Sequence, residues 1–215
     1  ILDPTYTFTV PKKQTAAGCA DAINHIMEQY FCEESSILND GMMEAAFKSL
    51  MVNGRKCVEN PEDYTARAEM MLDCTLACNG IFSLGNSRSL WPCHGMEHAL
   101  SAYYDITHGE GLAIITPRWM KHILNDHTVD RLAKYGVNVF GLDAAQDRYD
   151  IANQAIQATY DFFASLGIPM HLREVGIDDS RIDEMAHHVA ELEGLDEAWA
   201  PLQEADIAAI FRASL

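Results

Sequence analysis

The chain opens on a short mixed stretch, "DPTYTFTVP", bounded by Pro4 and Pro11, and then settles into a helical rhythm. The residue before a proline is pushed toward extended backbone, so 3–11 is expected to be extended. From Gln14 to about Phe31 the apolar residues Ala17, Ile23, Ile26, Met27 and Tyr30 recur at the spacing that lines one face of an α-helix. A second such stretch runs from about Asp40 to Val58, with Asp40 expected to cap it. "ENPEDYTARAEMMLDCTLACNGIF" starts with Asn60 and Pro61, a start signal because proline's missing N–H is no loss at the first helical position. Its far end is apolar enough for a buried helix.

"SLGNSRS", 83–89, reads as a loop, and a helix is expected over 90–104. Another begins at or just after His108, with a kink at Pro117, where the ring removes a donor and clashes one turn back. Further helices are expected over 128–140, 145–165, 178–193 and 203–213. "SLGIPMHLREVGIDDSRI" connects two of them through Gly, Pro and a capping Asp. Strand signals are few, and no repeat, low-complexity segment or linker divides the chain. Its 215 residues are enough to bury a real core. The pattern predicts an all-α protein, a single helical domain of about eight helices over 1–215.

Charge narrows the partners. Fifteen Lys and Arg stand against 32 Asp and Glu, a formal net charge of -17, and such a surface repels nucleic acid and anionic membrane alike. No apolar run approaches the roughly 20 residues that span a bilayer, and no signal-peptide pattern opens the chain. Six scattered cysteines do not make a disulfide scaffold, so reduced thiols and a cytoplasmic location are expected. Cys74 and Cys78, four apart, read as small apolar residues on a packed face rather than as ligands. The first residues lack an initiator methionine and resemble the middle of a protein, so a fragment is expected.

Two segments carry more metal-competent side chains than a core needs. In "CADAINHIMEQY", 19–30, Asp21 and His25 are four apart and share a helix face, their Cβ atoms roughly 5–6 Å apart. Both can then reach one cation at bond lengths of about 2 Å. Taken alone, Asp21 could equally serve the helix N-terminus, with His25 in the core or on the surface. "WPCHGMEHALSAYYDITHG", 91–109, holds three of the chain's nine histidines, at 94, 98 and 108. Spacing alone favours His94 and His98 as the ligand pair, with His108 within reach if the chain turns at "YDITHG". Cys93 points about 100° away from His94 and does not join it on one ion. There is no His-Glu-x-x-His, so a zinc-protease site has no support. Three imidazoles and a carboxylate suit zinc or ferrous iron.

Together the segments resemble the iron-containing (group III) alcohol dehydrogenases. In that family "P-x-x-Q-T-A-A-G-x-x-D-A-x-x-H-x-x-E" is followed some seventy residues later by "H-G-M-x-H-x-L-x-A-x-Y", ending in "H-G". This chain has "PKKQTAAGCADAINHIMEQY" and "HGMEHALSAYYDITHG". With "GLAIITPRWMKHIL" included, the match is nearest the butanol dehydrogenase branch, and it extends over essentially the whole chain. The resemblance implies the C-terminal domain of the dehydroquinate synthase-like fold, with Asp21, His25, His94 and His108 as metal ligands. His98 is then not a ligand: it lines the active site near nicotinamide and substrate, as a catalytic and cofactor-contacting residue.

The implied activity is the interconversion of primary aliphatic alcohols and aldehydes, butanol-like, with NAD(H) or NADP(H) and a divalent Fe2+ or Zn2+. The intact enzyme is expected to be a homo-oligomer with an N-terminal dinucleotide-binding domain carrying a Gly-Gly-Gly-Ser loop. No loop of that type occurs here, so the chain is expected to be the metal-binding domain alone and inactive by itself. The alternatives are a non-enzymatic metal-stabilised helical module or a helical di-iron protein, the latter normally built from Glu-x-x-His motifs.

Overall fold

The structure is a computed structural model that describes residues 1–87 and 89–215; Arg88, within the expected 83–89 loop, lies outside them. Among the described residues there are nine α-helices, four short 3-10 turns and no strand. The all-α expectation holds.

Helix α1 (Lys12–Tyr30) is the central element. It is buried on nearly every side and packs against α2 (Ile37–Glu59), α3 (Tyr64–Cys78) and α5 (His108–His122). Its first half is rich in small residues, with Ala16, Ala17, Cys19, Ala20 and Ala22 all buried, so neighbouring backbones come close. Helix α5 runs continuously through Pro117 and is buried from Gly109 to that residue, as a helix hydrophobic all round should be. Helix α4 (Pro92–Tyr104) packs against α5 and against α8 (Ile182–Leu192). Two amphipathic pairs complete the domain. α6 (Val129–Phe140) lies on α7 (Arg148–Ser165), and α8 lies on α9 (Glu204–Ala213). No helix among the described residues is long and apolar enough to cross a membrane.

α8 starts at Ile182, four residues later than expected and without a side-chain cap, while three other boundaries shift, each for a local reason. The stretch 3–11 is not simply extended: Pro4–Thr7 forms a 3-10 turn, because the Asp3 carboxylate accepts hydrogen bonds from the Thr5 amide and hydroxyl. α2 begins a turn earlier than expected, capped by Ser36, whose hydroxyl accepts from the Asn39 amide at 3.0 Å. Asp40 is buried inside the helix rather than capping it. α3 begins at Tyr64, with Asp63 accepting from the Ala66 amide, and Pro61 stands in the preceding turn. In each case a side-chain oxygen that satisfies a free amide decides the start.

The turn that matters for function lies between α4 and α5. Asp105 ends α4 in the left-handed region, φ 52°, the only non-glycine with positive φ among the described residues. The chain reverses there, and Thr107 leads into α5 at His108. Gly109 then lies so close to α1 that a Cβ would run into the Ala17 carbonyl. Only glycine allows the start of α5 to touch α1 at this depth.

Candidate metal centre

The two segments meet where α1, α4 and α5 converge. Asp21 Oδ1 lies 3.4 Å from His25 Nε2, 3.5 Å from His94 Nε2 and 3.6 Å from His108 Nε2. Four donors about 2.0–2.2 Å from one ion stand roughly 3.3–3.6 Å apart in a tetrahedron, so these are the edges a small divalent cation requires. Asp21, His25 and His94 each bring a ligand atom within 4.8 Å of the other two. His108 lies outside that mutual group and joins it through Asp21.

The fit to a cation rests on atoms left without partners. Asp21 Oδ1 and His94 Nε2 are buried and have no hydrogen-bond partner, although they face each other across the cluster. Buried polar atoms are normally satisfied, and a dication bound by lone pairs satisfies both at once. The electrostatics agree. Burial pushes the Asp21 carboxyl up, but the nearby imidazoles of His94, His25 and His108 hold it below the ordinary range. His94 goes the other way: burial opposes its charge, yet the nearby Asp21 carboxylate and the bond from its ring to Glu28 carry it up to about 9. His108 is raised chiefly by its hydrogen bond to Glu97. Burial lowers His25, only partly offset by Asp21. On balance the cage stabilises positive charge at its centre.

Trp91 closes one side, its ring edge-on to His25 and to His94 at 4.9 Å in each case. His98 lies one turn beyond His94 on α4, its side chain 58% exposed. Its ring stacks on His108 at 5.9 Å with an interplanar angle of 18°, and its Nδ1 lies 3.5 Å from Glu193 Oε1. It stands beside the cluster rather than in it, so the pairing favoured by spacing alone, His94 with His98, is not the one the fold builds.

Two residues of the site carried no role in the sequence reading. Glu28 and Glu97 are fully buried carboxylates, 1% and 0% exposed, paired with Nδ1 of His94 and Nδ1 of His108 respectively. Glu28 also accepts from the Cys93 amide at 2.5 Å and the His94 amide at 3.4 Å, covering the free N-terminus of α4. A signal for it was present: Asp21, His25 and Glu28 fall at i, i+4 and i+7, one helix face. Cys74 and Cys78 do not join the cluster; burial pushes the Cys74 thiol up to about 12, whereas Cys78 is exposed, so the expected packed face does not extend to it. The one Glu-x-x-His spacing, Glu184 to His187, is on the exposed side of α8, where His187 pairs with Glu204 at 3.0 Å.

The curated relatives include NADH-dependent butanol dehydrogenase A of Clostridium acetobutylicum, 49% identical over 216 residues, which cover 100% of this chain and 55% of the relative. NADH-dependent butanol dehydrogenase B of that organism is 51% identical over 90% of this chain and 50% of its own length. Among solved structures, NADH-dependent butanol dehydrogenase A from Thermotoga maritima superposes with a TM-score of 0.91 at 32% identity, covering 99% of this chain and 55% of that one. Aldehyde reductase YqhD from E. coli gives 0.92 at 30% identity, covering 100% and 56%. The chain thus spans about half the length of the curated relatives it matches. Residues 15–215 match the family described as "Fe-containing alcohol dehydrogenase family, C-terminal", and the chain belongs to that family.

Proposed function

We propose that this chain is the metal-binding half of an oxidoreductase that interconverts primary aliphatic alcohols and aldehydes, butanol and butanal among them, with a nicotinamide cofactor. The observation that carries the reading is the convergence of three imidazole Nε2 atoms on one buried, unpartnered carboxylate oxygen. Asp21, His25, His94 and His108 hold a divalent ion, Fe2+ or Zn2+, both compatible with this donor set. When bound, the ion supplies a Lewis acid for the alcohol or aldehyde oxygen. Trp91 keeps water from one side of the cage. His98, exposed beside His108, takes the hydroxyl proton on oxidation and returns it on reduction, and its ring helps to orient the nicotinamide.

The phosphate cradle comes from a preceding dinucleotide-binding domain, because no Gly-rich phosphate loop occurs in these 215 residues. Relatives use both cofactors by name, NADH in the butanol dehydrogenases and NADPH in the aldehyde reductase. The intact enzyme is a cytoplasmic homo-oligomer.

Metal content settles the ligand set. The chain purified without chelator should carry close to one equivalent of iron or zinc, and His94→Ala should carry none. Equal content in the two proteins overturns the assignment. Activity is tested in a chimera that joins this chain to the N-terminal part of the Clostridium butanol dehydrogenase A. The chimera should oxidise NADH in the presence of butanal, and the chain alone should not. His98→Ala in the chimera should keep its metal yet lose about 10- to 1000-fold in turnover. A folded, metal-loaded chimera that reduces no aliphatic aldehyde overturns the activity.

A further inference from the structure

Glu97 is not needed as a ligand, and it has no backbone amide to satisfy, yet it is wholly buried on α4 between His94 and His98. Burying a carboxylate is costly, and an apolar residue would pack α4 against α5 more cheaply. Three features of the fold are built around it. Its Oε2 pairs with His108 Nδ1. Its Oε1 accepts a 2.6 Å hydrogen bond from the Ser101 hydroxyl. Its stem fills the space over Gly111, where a Cβ would lie 2.8 Å from both Glu97 Cγ and Oε1 and 3.0 Å from Ile106 Cδ1. The second glycine of "HGEG" leaves room for Glu97 as the first leaves room for α1.

The Glu97 carboxyl sets an acceptor oxygen against His108 Nδ1, the partner that suits a ring N–H at that nitrogen. The lone pair of His108 is then on Nε2, the atom facing Asp21. We propose that Glu97 is a positioning residue for the metal centre: it fixes the tautomer and ring plane of His108 and so places the fourth donor. The inference rests on the ligand set proposed above. Carboxylates behind metal-bound histidines orient the ring and raise its basicity, and losing one typically costs 10- to 100-fold in metal affinity. Glu28 stands in the same relation to His94 but also covers the start of α4, so removing it would disturb the fold as well. His25 has no such support, its Nδ1 being buried without a partner. The cage therefore has two clamped imidazole arms and one unclamped arm.

The test is a Zn2+ titration of the 215-residue chain against a chromophoric chelator, with Glu97→Leu and His108→Ala beside the wild type. Leucine keeps the buried volume and removes the charge. Glu97→Leu should bind Zn2+ 10- to 100-fold more weakly while its metal-free melting temperature stays level or rises. A purely packing role would move stability and leave affinity alone. Nitrogen-15 spectra of the Zn2+-loaded wild type should show His108 bound through Nε2 with Nδ1 protonated. Wild-type affinity in Glu97→Leu, or His108 bound through Nδ1, overturns the proposal; the wild-type spectrum decides it even if the variant does not fold. His108→Ala with undiminished affinity would instead show that the ligand set is wrong.

Discussion

The protein holds two part-buried polar clusters of similar size, and they are opposites. One joins α2 to α6. There the Arg131 guanidinium donates to both oxygens of Asp40 at 2.7 and 2.6 Å and to the Tyr30 carbonyl at 2.9 and 2.6 Å. Lys134 adds a further bond to Asp40, and the guanidinium lies 3.9 Å from the centre of the Tyr30 ring. Every charge in it has a partner inside the chain. The other is the cage of Asp21, His25, His94 and His108, in which Asp21 Oδ1 and His94 Nε2 face inward without partners, while the outer nitrogens of His94 and His108 are held by Glu28 and Glu97 and that of His25 is unheld. A closed cluster holds helices together. An open one, clamped at two of its three imidazoles and unsatisfied at its centre, has the form that the proposed ion site requires.

The largest effect that tests this contrast is at Asp40. Asp40→Asn leaves Arg131 short of its counter-charge and should destabilise the metal-free protein by about 2–4 kcal/mol at neutral pH, read from urea unfolding. Zn2+ affinity should be untouched. The effect has a defined pH dependence. Burial alone would raise the Asp40 carboxyl, but Arg131 and Lys134 hold it down at about 2, against an ordinary 3.8. A depressed carboxyl contributes stability above its unfolded value and loses it as pH falls toward the folded one. The wild-type advantage over Asp40→Asn should therefore shrink by roughly half between pH 7 and pH 3. An advantage that grew on acidification would show that the pair is not the source.

A smaller change should affect both properties at the cage. Gly109→Ala drives a methyl into the Ala17 carbonyl, and separating α5 from α1 should cost about 1–3 kcal/mol of stability. Because His108 is the neighbouring residue, Zn2+ affinity should fall in the same variant. A variant that loses stability and binds Zn2+ normally would show that the cage tolerates movement of α5.

The smallest expected effect is at the thiols. Replacing Cys74 and Cys78 together by alanine should leave Zn2+ affinity within about twofold, because neither joins the cluster. A large loss would extend the open site to α3.

Much of the fold was legible in the chain because helices are local. The 3.6-residue rhythm of α1 and the Asp21–His25 spacing on it depend on neighbours three and four residues away. Helix starts were less legible. Ser36 and Asp63 displaced the expected caps because several residues near each start could satisfy the free amides, and packing chose among them. For Asp40 the choice was made by Arg131, ninety-one residues further on.

The ligand set divides along the same line. That Asp21 and His25 share a face and that His94 and His98 lie one turn apart follows from local spacing, since those relations are internal to single helices. Which of the last two turns toward Asp21, and that His108 joins from a third helix, depends on the Asp105 reversal and on the depth at which Gly109 lets α5 meet α1. The roles of Glu28 and Glu97 were equally out of reach, because a carboxylate's job is set by which imidazole packing brings against it. Those contacts come from helix packing, because they pair residues far apart in the chain, whose distance no local periodicity encodes.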